Sequence, residues 1–332
     1  MNRKFAFLLG LTLAVGLIFT NKTTGQTKVS DFVGQWALYL PGGAGWLEVS
    51  DNGDYLDAKI LWYGGSVVPV SSVYVHDGKL IVNRVFEVDH GDRKMQQATS
   101  IEFEVNGNQL IGKQISPNKN GKEARVTLFY GKKTPEPGQA PNLTTINYGK
   151  AIKVFNGKNL DGWELINPNH KNGWSVEKGV LTNNPGDHND HSVHYGNLKT
   201  KEAFEDFKLT YEVNVPEGSN SGVYLRGIYE VQVVDSYGAD LDPHNMGALY
   251  SRITPSVAAE KKAGEWQEFE VILYQRHLTV KLNGKTIINN QPVLGVTGGA
   301  MTADVFSAGP IYLQGDHGQV SYRNMVLTPI VK

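Results

Sequence analysis

Apolar and polar residues alternate along most of this chain with a period of two. Phe207, Leu209, Tyr211, Val213 and Val215 alternate with Lys208, Thr210, Glu212 and Asn214. Phe269, Val271 and Leu273 repeat the pattern, and Leu278, Val280 and Leu282 repeat it again. That period buries one face of a strand and wets the other. Upstream, Ile101, Phe103 and Val105 alternate with Glu102 and Glu104. Ala124, Val126, Leu128 and Tyr130 alternate with Arg125, Thr127 and Phe129. The dipeptides Asp77-Gly78, Asn106-Gly107 and Asn283-Gly284 sit between such runs and tolerate the positive φ of tight hairpins. Only 254–263 offers even a short helical turn. The α/β classes need repeated helices, so the predicted class is all-β, with a β-sandwich after residue 150.

Two β-rich regions flank one linker. Thr134 to Pro141 holds three prolines in eight residues, which favours an extended spacer. The predicted organisation is a signal segment at 1–25, a small β-barrel domain at 29–132, a linker at 133–149 and a sandwich at 150–332. The opening Phe32-Val33-Gly34-Gln35-Trp36 resembles the glycine-x-tryptophan start of lipocalin-like barrels, with Trp36 expected to plug the core. At the N-terminus, Asn2-Arg3-Lys4 precedes an apolar run from Phe5 to Phe19 and a small-residue stretch at Thr23-Thr24-Gly25. That is the layout of a cleaved secretory signal. The expected mature chain begins near Gln26 and is soluble in a periplasm, free of the membrane.

Composition narrows the chemistry. Thirty-two Lys+Arg against 33 Asp+Glu leave a formal charge of −1, without the basic excess of a general nucleic-acid binder. Cysteine is absent, which excludes disulfides, thiolate catalysis and zinc–thiolate sites. No dinucleotide-binding, P-loop or zincin motif occurs. The sequence leaves any metal or cofactor unknown.

The stretch from Ser219 to Asp235 carries most of the candidate chemistry. Alternation sends Val223 and Leu225 to the core and Tyr224 and Arg226 the other way. After Gly227, Tyr229, Val231 and Val233 form the apolar set, leaving Glu230 and Gln232 on the face of Arg226. Asp235 has opposite parity and marks the strand end. Two readings follow: a wetted face with an Arg–Glu cross-strand pair, or an acid, an amide and a guanidinium gripping hydroxyls and a carbonyl oxygen. Further on, Tyr312 and Gln314 share one face of a strand. His317 follows in a Gly-bounded turn, as a plain turn residue or a proton-transfer group. His188, His191 and His194 recur at three-residue spacing among Gly, Asn and Asp, which argues for a loop.

These blocks together are familiar. Phe155-Asn156-Gly157-Lys158-Asn159-Leu160-Asp161-Gly162-Trp163 resembles the opening signature of the 3-keto-disaccharide hydrolase family. Trp174 to Leu181 is similar to its second block. Asn220 to Arg226, Tyr229 to Asp235, Gly247 to Tyr250, Gly264-Glu265-Trp266 and Leu313 to Gly318 follow in family order. The resemblance covers about 150–330 and leaves out 29–132 and the loop around 188–194. It implies a concanavalin-like jelly roll with its site on the concave sheet. It also implies action on glycosides whose C3 hydroxyl a partner glycoside 3-dehydrogenase has oxidised to a ketone. The ketone acidifies the C2 proton, and the C1 substituent then leaves by elimination. Such a site needs a base and an oxyanion stabiliser. The assignments that follow are Arg226, with Asn220 or Gln232, on the ketone and hydroxyl oxygens. Glu230 or His317 is the C2 base, and the other protonates the departing oxygen. Asp235 orients a neighbour or binds a hydroxyl, and Tyr250 and Gln314 line the pocket. The rival is a non-catalytic glycan-binding protein of the same fold. A two-carboxylate retaining glycosidase is disfavoured, because Glu230 and Asp235 have opposite parity and such carboxyls stand only ~5–5.5 Å apart.

Overall fold

A computed structural model describes residues 27–90, 93–118, 121–186 and 193–331. The expected signal segment, His188 and His191 lie outside them. The N-terminal region is built from a four-residue helix, α1 (Val29–Phe32), and nine strands: β1 (Gly34–Leu40), β2 (Gly43–Asp51), β3 (Leu56–Trp62), β4 (Val68–Pro69), β5 (Ser72–His76), β6 (Lys79–His90), β7 (Arg93–Asn106), β8 (Gln109–Pro117) and β9 (Ala124–Thr134). They form one antiparallel sheet in the order β4-β3-β2-β1-β9-β8-β7-β6-β5. This is an up-and-down meander joined between β9 and β1, and it curls until β3 meets β5. Among the described residues no ladder links β4 to β5. The lipocalin likeness therefore goes no further than this curled meander.

Trp36 is fully buried and donates its indole N–H to the Phe32 carbonyl at 2.8 Å. Around it pack Phe32, Leu47, Ile60, Leu80, Ile101 and Phe103. The hairpin signal at Asp77-Gly78 works as expected: both residues have positive φ and His76 pairs with Lys79. The second turn is displaced by one residue. Asn106 pairs with Gln109, so Gly107 and Asn108 make the turn and Gly107 supplies the positive φ. In β9 the inward set is the reverse of the apolar majority. Phe129 is buried edge-on against Trp62 and Phe103, while Val126, Leu128 and Tyr130 face outward. One large aromatic in the core outweighs three smaller gains on the other face, because a register step flips the whole strand.

The C-terminal region adds β10 (Asn147–Tyr148), β11 (Ile152–Lys153), β12 (Trp163–Leu165), β13 (Trp174–Glu177), β14 (Val180–Asn183), β15 (Leu198–Thr200), β16 (Phe207–Asn214), β17 (Asn220–Leu225), β18 (Tyr229–Val234), β19 (Trp266–Tyr274), β20 (His277–Leu282), β21 (Lys285–Pro292), β22 (Tyr312–Leu313) and β23 (Val320–Val331). One sheet runs β13-β14-β23-β16-β19-β20-β21, with β10 and β11 also paired to β23. The other runs β12-β15-β22-β17-β18. The chain is all-β, and this part is a jelly-roll sandwich. Phe207, Leu209, Tyr211 and Val213 of β16 point inward, as their alternation predicts, against Val223, Val231, Val233 and Leu313 of the smaller sheet. The segment 254–263 forms no helix.

The two regions are packed together. Ala37, Ala44, Trp46 and Leu61 belong to the same apolar cluster as the sandwich core. The Arg252 guanidinium lies 4.3 Å from the Trp46 ring centre. Gly295 has no side chain because a Cβ there would collide with that indole. The proline-rich connection is tied down: Arg276 donates to the Pro135 carbonyl at 2.7 Å and Asn290 to the Pro141 carbonyl at 2.9 Å. Among the described residues no helix is long and apolar enough to cross a membrane. We expect Trp36→Ala to cost about 3–5 kcal/mol in denaturant unfolding, through the lost core volume and the orphaned Phe32 carbonyl.

Candidate active site

The smaller sheet is buried on both faces at β17 and β18. One face meets the sandwich core. The other was expected to be wet, yet Tyr224 is 1%, Glu230 3% and Gln232 3% exposed. The cover comes from loops, which no periodicity reveals.

Within the hairpin, Tyr224 pairs with Glu230 and Gly222 with Gln232. Cross-strand partners point to the same face, so the four share it. Gly222 is needed there, since a Cβ would run into the Glu230 carboxyl. Tyr312 of β22 pairs with Tyr224, and the two rings stack at 4.1 Å between centres. The Tyr224 hydroxyl lies 2.9 Å from Glu230 Oε2 and 2.8 Å from the Gly298 carbonyl. A tyrosine hydroxyl has one proton, and a carbonyl has none to give. All three atoms are satisfied when Glu230 is neutral: its O–H donates to Tyr224, which donates to Gly298. Burial acts in the same direction and raises the Glu230 pKa to about 8, offset only partly by His317. Thr297 Oγ1 accepts the Glu230 backbone N–H at 2.9 Å, fixing the residue from behind.

His317 enters from the turn between β22 and β23. Its Nδ1 lies 2.8 Å from Asp316 Oδ1. This bond raises the His317 pKa above its ordinary value, against the effect of burial. The turn itself is fastened by Asn183, whose Nδ2 donates to the carbonyls of Gly315 and Gly318. Asn197 accepts the Gly315 N–H at 2.7 Å and donates to the Tyr312 hydroxyl at 3.1 Å.

Glu230 and His317 line one cavity of about 150 Å³, with Asn220, Gln232, Tyr250 and Gln314 in its walls. The buried side-chain oxygens of Asn220 and Gln314 have no partner among the described protein atoms. Buried acceptors of this kind call for donors, and sugar hydroxyls are suitable ones. Gln232 turns its own oxygen to the Val233 N–H, which orients its amide. Tyr250 donates its backbone N–H to the Glu230 carbonyl at 3.0 Å.

Arg226 is elsewhere. It lies beyond the end of β17, in the turn with Gly227, at φ 55°. That turn breaks the alternation that placed it beside Glu230. Its guanidinium donates to the Val305 carbonyl at 2.9 Å and to the Ser307 carbonyl, pinning the 305–307 loop. Asp235 is also outside the cavity and accepts the Gly218 N–H at 3.0 Å. His194 packs against the His170 ring, 5.7 Å between centres, and does not line the cavity. Among the described residues no three His, Asp or Glu side chains gather as metal ligands. Sequence reasoning missed Tyr224, Tyr312 and Thr297 as site residues. For Tyr224 the signal was present: pairing outward across the Arg226-Gly227 turn sets it opposite Glu230.

The fold and cavity define a jelly-roll β-sandwich protein with a buried carboxyl in a polar pocket. Residues 150–328 match the family described as the 3-keto-alpha-glucoside-1,2-lyase-like domain, and the chain belongs to that family. No curated protein matches the chain. Among solved structures, one candidate glycosyl hydrolase from Parabacteroides distasonis ATCC 8503 is 30% identical, with 56% of this chain and 92% of that chain covered at a TM-score of 0.44. A second from the same organism is 25% identical, covering 54% and 98%, at 0.41. The carbohydrate-binding module CBM66 from Bacillus subtilis is 11% identical, covering 49% and 93%, at 0.33.

Glu230 binds its proton more tightly in the folded chain than in the unfolded one. Its contribution to stability is therefore greatest below the ordinary glutamate pKa and declines as pH rises to about 8, levelling off above. Glu230→Gln, which keeps a donor toward Tyr224, should be more stable than wild type at pH 8 by roughly 2–4 kcal/mol in urea unfolding, with the difference fading by pH 4. Gly222→Ala should displace the Glu230 carboxyl and lower activity ~10²-fold or more while circular dichroism still reports an intact β-fold.

Proposed function

We propose that the protein cleaves 3-keto-glycosides by taking the C2 proton and eliminating the C1 substituent. The observation that carries this reading is the buried Glu230 carboxyl, 2.9 Å from the Tyr224 hydroxyl and in the same cavity as the His317–Asp316 pair, an environment that favours its neutral form. That is one proton donor and one poised proton acceptor around a space with unpartnered hydrogen-bonding groups. His317 presents Nε2, since Nδ1 engages Asp316, and this nitrogen takes the proton from C2. The C2–H pair of electrons forms the C1–C2 double bond as the C1–O bond breaks. Glu230 delivers its proton to the departing oxygen, which leaves as an alcohol. The amides of Asn220, Gln232 and Gln314 hold the ketone and hydroxyl oxygens, the task first assigned to Arg226. Water adding to the enone gives the net hydrolase outcome from the same first half. The ketone must come from an oxidising partner, a glycoside 3-dehydrogenase. A protein that only binds glycans has no need for a carboxyl kept neutral at physiological pH.

Activity should require the ketone, because without it the C2 proton is too weak an acid for a side-chain base. Purified protein should cleave a 3-keto-disaccharide and leave the unoxidised parent intact; equal turnover of the two would refute the elimination chemistry. The dependence of kcat/KM on pH should be bell-shaped. The acid limb falls as His317 takes up a proton below its raised pKa. The alkaline limb falls as Glu230 loses its proton near pH 8. Glu230→Gln should lose ~10²-fold in rate and His317→Ala a similar amount, each with the fold retained.

A further inference from the structure

The family match begins at residue 150, yet the cavity is not closed by that part alone. Gly64 and Gly65, in the β3–β4 connection of the N-terminal sheet, line it together with Glu230 and His317. Their contact with the sandwich is close. Gly298 packs directly on the Gly65 backbone, with no room for a Cβ between them. The Gly299 N–H donates to the Tyr63 carbonyl at 3.2 Å. Gly298 is also the residue whose carbonyl receives the Tyr224 hydroxyl. Thus Gly64-Gly65 on one domain meets Gly298-Gly299 on the other, one step from the carboxyl of Glu230.

The loop is held there at its far end too. Ser66 Oγ lies 2.8 Å from His244 Nε2, and His244 Nδ1 lies 2.5 Å from Asp242 Oδ1. The Val67 N–H donates to Ser251 Oγ at 2.8 Å. The His244 ring in turn meets the edge of Tyr250, another cavity residue, at 4.9 Å between centres. Tyr63 takes φ 63°, a left-handed conformation unusual for a tyrosine, and sends its hydroxyl to the Pro41 carbonyl at 2.9 Å. Backbone in this state persists only where its surroundings hold it.

We infer that the N-terminal sheet is a working part of the active site: loop 63–66 is a wall of the reaction cavity and limits the size of the substrate group that rests against Gly64. The glycines matter because a side chain there would occupy substrate space. Gly64 suits a test, since a Cβ on it meets no other atom within 4 Å and its φ is not in the left-handed region. The inference about substrate size rests on the function proposed above; the placement of the wall does not.

The placement can be read without substrate. In full-length protein with ¹³C-labelled histidine, the His317 signal is identified by its loss in His317→Gln, and its pKa is measured in Gly64→Asp and Gly64→Asn. A carboxylate facing the cavity adds a second negative charge to that of Asp316 near the imidazole. It should raise the His317 pKa by ~0.3 unit or more over the isosteric amide. Equal values in the two variants overturn the inference. Size selection is read in Gly64→Trp. Its kcat/KM for a 3-keto-disaccharide, relative to that for a methyl 3-keto-glycoside, should fall at least ~10-fold against the wild-type ratio. An unchanged ratio overturns the inference. If wild type cleaves no 3-keto sugar while the titration shift is present, the wall stands and the proposed reaction is the part that fails.

Discussion

The carboxyl of Glu230 is buried beside a tyrosine hydroxyl that has already committed its proton to a backbone carbonyl. Much of the molecule can be understood as what is needed to keep it so. An ionised carboxylate in that position would lose its hydration with little compensation, and the observed arrangement avoids this by keeping the acid neutral to about pH 8. The neutral form depends on the Gly298 carbonyl accepting from Tyr224, on Tyr312 stacking under Tyr224, and on Gly222 leaving room for the side chain. Removing any of these changes the acid rather than merely its neighbourhood.

The cover over that face is assembled from parts distant in the chain. Thr297 and Gly298 come from the stretch after β21, His317 from the turn after β22, and Gly64-Gly65 from the other domain. These segments carry little regular hydrogen bonding of their own. The 315–318 turn is held instead by two side-chain bonds from Asn183, and the 305–307 loop outside the cavity is held in the same way by Arg226. Arg226 thus holds a loop outside the cavity lining, where an isolated reading of the strand made it a ligand for substrate. The junction between domains supports the same cover. Trp46 shares the sandwich's apolar cluster, and Arg252, half-buried over its ring, donates to the Val296 carbonyl at 2.7 Å, immediately before Thr297.

The sequence alone determined the all-β class, the sandwich strands and the hairpin at Asn283-Gly284, where both residues take positive φ and Leu282 pairs with Lys285. These are local properties: period-two alternation and the freedom of Asn-Gly to turn tightly act within a few residues. The family was legible for the same reason, since its signature blocks are short and ordered along the chain. Local parity also set Glu230 and Gln232 on one face. Where it had to be carried across a turn it failed, as Arg226 shows; where two faces competed it failed as well, as Phe129 shows in β9. What only the tertiary structure decided is that the polar face of the β17–β18 hairpin is dry. Alternation reports that one face of a strand is polar, but not whether water or other protein lies against it. Burial of Glu230 depends on loops more than 150 positions away in one direction and tens in the other, and the Coulomb and desolvation energies that make it an acid follow from that packing alone.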